Sequence, residues 1–222
     1  MKKIILALSL IFLTSTGYAA GISEGFRIGI AASKTEVNGS GSETLRSGSG
    51  EDTSAQGQRS STTTSEDTTI GHIFVEKSFS NGFTLGVDYV PGEADVGTKS
   101  RADDDLESAN GNKASAVVSE HLTFYGLMPI GSSPLYAKAG VISMDVETNE
   151  VLNTGSTYGN ATVNGVTVGL GAHLENDTNG LFIRAEYSVS EYEEITLTSS
   201  GSNIVQADLD TSALKIAIGK SF

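Results

Sequence analysis

The sequence predicts an all-β fold, a single antiparallel up-and-down barrel of eight strands, on three observations. Eight segments alternate apolar and polar residues with the period of a strand. The connections between them alternate short and long. The last segment stops on an aromatic residue, Phe222, that belongs to its apolar row.

Taken in order, the first segment sets Phe26, Ile28, Ile30 and Ala32 against Arg27 and Gly29. The second sets Ile73, Val75, Lys77 and Phe79 against His72, Phe74, Glu76 and Ser78, with Lys77 a blemish in the apolar row. The third is clean, with Phe83, Leu85, Val87 and Tyr89 opposing Thr84, Gly86 and Asp88. The fourth reads Val118, Leu122 and Phe124 against Ser119, His121, Thr123 and Tyr125, and Glu120 interrupts it. The fifth sets Leu135, Ala137, Ala139 and Val141 against Tyr136, Lys138 and Gly140. In the sixth, Val166, Val168, Leu170, Ala172 and Leu174 face away from Thr167, Gly169, Gly171 and His173. The seventh sets Leu181, Ile183, Ala185, Tyr187 and Val189 against Phe182, Arg184, Glu186 and Ser188. The eighth puts Leu214, Ile216, Ile218, Lys220 and Phe222 on one face, and Ala213, Lys215, Ala217, Gly219 and Ser221 on the other.

A soluble sheet over a core also has one apolar and one polar face. The polar rows here mix glycines with charges, namely Arg27, Glu76, Asp88, Lys138, Arg184, Glu186 and Lys215. A narrow barrel must fit inward side chains into a crowded lumen, so these seven read as an interior charge network. Four cations against three carboxylates is close to the balance a sealed polar interior needs. The apolar rows then face lipid, and the barrel is transmembrane. Phe79, Phe83, Tyr187 and Phe222 fall near strand ends, where rings suit a membrane interface.

The connections agree. Ser80 to Gly82, Pro129 to Pro134 and Glu175 to Gly180 are short, whereas Asn38 to Thr68, Pro91 to Ala114, Glu147 to Ala161 and Glu194 to Ala207 are long. Short periplasmic turns and long extracellular loops are the habit of transmembrane barrels. An even strand number returns both termini to one side, and the first long loop is too polar to hide two more lipid-facing strands.

Met1-Lys2-Lys3, the apolar run Ile4 to Leu13 and the small-x-small Gly17-Tyr18-Ala19 form an export signal. Residues 1–19 are expected to be cleaved, leaving 20–222 as one barrel domain. The apolar run is too short for a spanning helix, which needs about 20 residues. With no cysteine, the chain has neither disulfides nor thiolate metal sites. A formal charge of -13 argues against nucleic acid, whose phosphates require a basic face. No cofactor and no metal are expected. The Asp103-Asp104-Asp105 run lacks the spacing and the glycine of a calcium loop.

Export signal, eight alternating strands, long outer loops and the closing Ile218-Gly-Lys-Ser-Phe222 together resemble the small bacterial outer-membrane barrels. Within that porin-type group the likeness is to the transmembrane domain of the OmpA class, the opacity proteins and the OmpX type. Leu135-Tyr-Ala-Lys-Ala-Gly140 and Phe182-Ile-Arg-Ala-Glu-Tyr187 are phrases of the same style. The resemblance covers the whole mature chain and implies a location in the outer membrane, among its lipids and lipopolysaccharide. It also implies a monomer, and Phe222 as the residue by which the barrel-assembly machinery recognises the last strand. The chain is expected to stop at the barrel, without a periplasmic peptidoglycan-binding domain.

Function then belongs to the loops or the lumen, because a fold does not name an activity. A structural or surface-interaction role of the acidic extracellular loops is expected first, and no catalytic residue is assigned. A narrow gated pore through Arg184, Glu186, Lys138 and Lys215 is the alternative, limited by the width of an eight-stranded barrel. An enzyme acting on lipid A is a more remote one. Its base would come from His72, His121 or His173, with Ser119 and His121 expected on one face of the fourth strand.

Overall fold

In the computed structural model, residues 24–44, 57, 59–101, 112–152, 157–200 and 202–222 are described. The export signal and the Asp103 to Asp105 run lie outside them. Ten strands make the whole regular structure of those residues, which contain no helix. They are β1 (Gly25–Thr44), β2 (Arg59–Ser78), β3 (Thr84–Tyr89), β4 (Ala94–Arg101), β5 (Asn112–Pro129), β6 (Leu135–Leu152), β7 (Ala161–Glu175), β8 (Leu181–Tyr192), β9 (Ile195–Thr198) and β10 (Ile204–Ser221).

Every ladder is antiparallel, and pairing of β1 with β10 closes the sheet on itself. The ten strands make eight staves. β3 and β4 both pair β5 and share one stave, while β8 and β9 both pair β10 and share another. The fold is an all-β up-and-down barrel of eight staves, closed by its own hydrogen bonds.

Three tight turns define one rim. Gly82, Gly131 and Gly180 each adopt positive φ in them, at 79°, 62° and 69°, a region that favours glycine. Phe26 and Phe222 exchange backbone hydrogen bonds of 2.8 and 3.2 Å at the same rim, so the barrel seam begins there. The three turns fall at the short connections, with two adjustments. Pro129 is the last residue of β5 and pairs Tyr136. Glu175 continues β7 and pairs Phe182 instead of opening the turn.

The other rim differs from the loops expected there. Asn38 to Thr68 is mostly ladder, because β1 and β2 stay paired out to Thr44 and Arg59. Glu147 to Ala161 and Pro91 to Ala114 likewise contribute the upper parts of β6, β4 and β5. The upper parts of β1 and β2 are rich in Ser, Thr and Gly in both rows, so the period-two apolar signal vanishes there although Thr holds strand geometry well. The described parts of the long connections are thus largely an upward extension of the wall.

The fourth segment holds a second correction. A bulge inserts one extra residue between Ser119 and Leu122, with Glu120 at φ 50°. An extra residue reverses the alternation on one side of itself. Val118 therefore points inward, where it packs against Ile142, Met144 and Val146. Ser119 pairs Asp145 on the outer face.

Outside, 21 large apolar side chains among the described residues are between 41 % and 73 % exposed. They form rows such as Ile28–Ile30, Leu170–Leu174 and Leu214–Ile218, running around the whole cylinder. Soluble monomers do not carry apolar patches on that scale. Lys77, the blemish in this belt, lays its ammonium 4.5 Å from the centre of the Phe26 ring.

Candidate functional site

The polar rows meet in the lumen, which is filled in layers from the turn rim upward. Directly above the turns, Arg27 is 1 % exposed, donates to Ser78 and forms an ion pair of 3.2 Å with Glu175. Ser78 and Thr84 share a hydrogen bond of 2.6 Å. His173 donates from Nε2 to Glu175 at 3.1 Å, and its Nδ1 accepts from Arg184 at 3.4 Å.

In the next layer Arg184 meets Glu76 through two parallel bonds of 2.6 and 2.9 Å. Tyr125 donates a third bond to Glu76, at 2.6 Å. The guanidinium of Arg184 lies 5.3 to 5.6 Å from the ring centres of Phe74, Tyr136 and Phe182. Lys138 and Tyr136 both donate to Glu186, at 2.8 and 2.9 Å. Lys215 links this layer to the one above, 3.4 Å from Glu186 and 2.9 Å from Asp88.

The seven charges read from the polar rows are all in this network. Arg27, Glu76, Asp88, Lys138, Arg184 and Glu186 are buried, and the side chain of Lys215 is 11 % exposed. Glu175 is an eighth member that the short-turn reading placed elsewhere. It balances the set at four cations and four carboxylates. The sequence signal for it was present, since Glu175 follows His173 at the inward spacing of two. The tyrosine donors Tyr125 and Tyr136 had no such signal, because a ring in a polar row gives no sign of what it will touch.

Glycine makes room for those rings. Gly86 stands opposite Tyr125 and Gly171 opposite Tyr136, and a Cβ on either glycine would run into the facing phenol. The same arrangement pairs Gly29 with Phe74 and Gly219 with Phe182.

Above the charges the lumen turns apolar. Ile142, Met144, Val146, Val163 and Tyr192 form one buried cluster, with Val118, Ile195 and Leu209 packed on it. His121 points inward beneath this plug and lies 3.2 Å from the Tyr192 hydroxyl. Ser119 is on the opposite face, so Ser119 and His121 do not form a pair. Higher still, residues 157–160 strap the mouth. Tyr158 donates to Glu43 of β1 at 2.9 Å and accepts from Thr148 of β6 at 3.0 Å, while Thr157 bonds Ser200.

Ion pairs across the lumen, then a greasy plug, then a strap are a poor design for open diffusion. Among the described residues, no cluster of three or more His, Cys, Asp or Glu side chains is arranged to hold a metal ion.

Fold and lumen together define the class, a closed eight-stave antiparallel barrel that is apolar outside and charged within. No family model and no curated protein matches the chain. Among solved structures, the chain is similar to the outer membrane protein OprG from Pseudomonas aeruginosa, at 14 % identity and a TM-score of 0.48, over 93 % of this chain and 98 % of that one. It is also similar to Neisserial surface protein A, at 12 % identity and a TM-score of 0.42, over 89 % and 97 % of the two chains. A third is Ail, the attachment invasion locus protein of Yersinia pestis, at 10 % identity and a TM-score of 0.42, over 87 % and 99 %. At these identities no residue role passes from them to this chain.

Proposed function

We propose that the chain is an integral outer-membrane β-barrel, exported by residues 1–19, whose tall acidic upper wall serves as a structural and interaction surface at the cell exterior. The observation that carries this reading is the encircling belt of exposed apolar side chains around a lumen whose charges neutralise one another. Lipid offers the backbone no hydrogen-bond partner, and a closed ladder needs none.

Strand length supports the second half of the reading. A tilted strand crosses a bilayer in about 9–11 residues. β1 and β2 each run for 20, so about half of each stands beyond the belt. There the outward row changes from Ile28 and Ile30 to Lys34, Glu36 and Asn38, with Glu36 facing Asp67 of β2 and Asn38 facing Asp210 of β10. In this reading lipids and lipopolysaccharide contact the belt, the last strand with Phe222 is handed over by the barrel-assembly machinery, and the barrel acts as a monomer.

Fractionation tests the placement. The protein is expected in the outer-membrane fraction, resistant to carbonate extraction and migrating faster on gels before boiling than after. Recovery as a water-soluble monomer without detergent would overturn it. Replacing residues 36–67 by a short turn leaves the belt intact and removes the tallest part of the wall. If cells carrying that variant adhere and agglutinate as the parent does, the upper wall has no interaction role.

A further inference from the structure

At mid-height in the lumen, Ser33 of β1, His72 of β2 and Asp88 of β3 form a relay across three neighbouring staves. The Oγ of Ser33 is 2.9 Å from Nε2 of His72, and Nδ1 of His72 is 2.8 Å from Oδ1 of Asp88. A carboxylate only accepts, so Nδ1 carries the proton. In the neutral imidazole Nε2 is then an acceptor, and Ser33 donates to it. Lys215 holds the other oxygen of Asp88 at 2.9 Å, which fixes the plane of the carboxylate. Thr35 Oγ1 lies 3.0 Å from Ser33 Oγ, within hydrogen-bond reach. With His72 neutral and Ser33 donating to it, Thr35 is left to donate to Ser33, and the Ser33 proton points at the imidazole. This is the order of nucleophile, base and orienting carboxylate that activates a hydroxyl.

The relay also sits where the wall is incomplete. β2 pairs β3 from Ser78 up to Ile73, whose partner is Tyr89. Beyond that rung Pro91 has no N–H to offer and Gly92 turns the chain at φ 96°. β4 resumes the stave but pairs β5 and not β2, so the β2 edge from Arg59 to His72 lacks a ladder partner among the described residues. His72 is the first inward residue above the last rung. The side chains of His72 and Lys215 keep 12 % and 11 % exposure, against 0 % for Arg27 and 2 % for Glu186 lower down, while Ser33 is 2 % exposed and is reached past the His72 ring.

We propose that Ser33 is an activated nucleophile that takes an acyl group from a carboxylic ester entering through the unpaired seam between β2 and β4. In the step, Ser33 Oγ bonds to the carbonyl carbon while its proton passes to Nε2 of His72. The ester C–O bond then breaks, the leaving oxygen takes that proton, and an alcohol departs from acylated Ser33. No oxidant, metal or other reactant is needed.

The test uses the full mature chain folded in detergent and a fluorophosphonate probe, which loses fluoride when a reactive serine attacks phosphorus. Labelling mapped to Ser33 by mass spectrometry is expected, with Ser33→Ala unlabelled. His72→Gln should slow it about 10²- to 10⁴-fold, the usual contribution of a general base. All variants must keep the heat-shifted gel migration of the parent. The chain has no cysteine, so Ser33→Cys supplies a single thiol. Iodoacetamide is expected to alkylate it in the folded barrel, and more slowly when His72→Gln is added. An unlabelled parent, a label on another residue, or a rate unchanged by His72→Gln overturns the proposal. So does a Ser33→Cys thiol that reacts only after unfolding, which would close the seam as an entrance.

Discussion

Arg184 and Glu76 lie 108 positions apart in the chain and meet in the lumen through two parallel hydrogen bonds of 2.6 and 2.9 Å. Both side chains are buried, and three aromatic rings surround the guanidinium. Removing one partner of such a pair strands the other charge in a medium that solvates it badly. Arg184→Met is therefore expected to cost about 3–5 kcal/mol. Adding Glu76→Gln should recover part of that loss, since no bare carboxylate remains. Urea titrations followed by gel migration of the detergent-folded forms measure both. Equal losses in the single and double variants would mean that the pair is not the unit.

The glycines opposite lumen rings give a steric prediction. A Cβ on Gly171 would overlap the Tyr136 phenol and approach the Ala185 carbonyl to 2.7 Å, whereas one on Gly71 meets nothing within 4 Å. Gly171→Ala should cost about 1–3 kcal/mol by overpacking. Gly71→Ala, at an exposed position, should stay within about 0.5 kcal/mol of the parent. Comparing the two unfolding midpoints separates the steric cost from a general loss of glycine.

Much of the barrel was legible because alternation is a local signal. Arg184 and Glu186 sit two residues apart in one row, and that spacing alone turns both inward. Their partners were not legible, since Glu76 comes from β2 and Lys138 from β6, and no local pattern carries the shear that aligns them. The upper wall was hidden for another reason. Ser40 and Asp208 are exposed in an outward row that is no longer apolar, and Thr62 of the inward row is exposed as well, so their strands lose the contrast that alternation detects. Ser33 escaped notice because it follows the apolar stretch of the first segment and looks like the start of a loop.

The bulge in β5 predicts an accessibility pattern that regular alternation cannot give. Val118 packs inside on Ile142 and Met144, while Ser119 and Glu120 face outward. The absence of native cysteine makes single-cysteine scanning clean. Ser119→Cys and Glu120→Cys should react with a water-soluble maleimide on intact cells, and Val118→Cys should be protected. Without the bulge, Val118→Cys would face outward and Ser119→Cys would face the lumen.

Phe222 separates assembly from stability. Its backbone closes the seam with Phe26, but its ring is 73 % exposed, and the contact made by the ring is with the Lys220 ammonium 5.5 Å away. A side chain that packs on so little adds little to the folded state, so Phe222→Ala should refold in detergent within about 0.5 kcal/mol of the parent. If the assembly machinery reads the ring, the same variant should insert poorly in cells, with unfolded protein accumulating on the periplasmic side. Matched refolding midpoints and cellular fractionation of parent and variant measure the two effects apart. A variant that loses refolded stability as well would make the ring a structural clasp on the seam, because a pure recognition element has nothing to do once the barrel is closed.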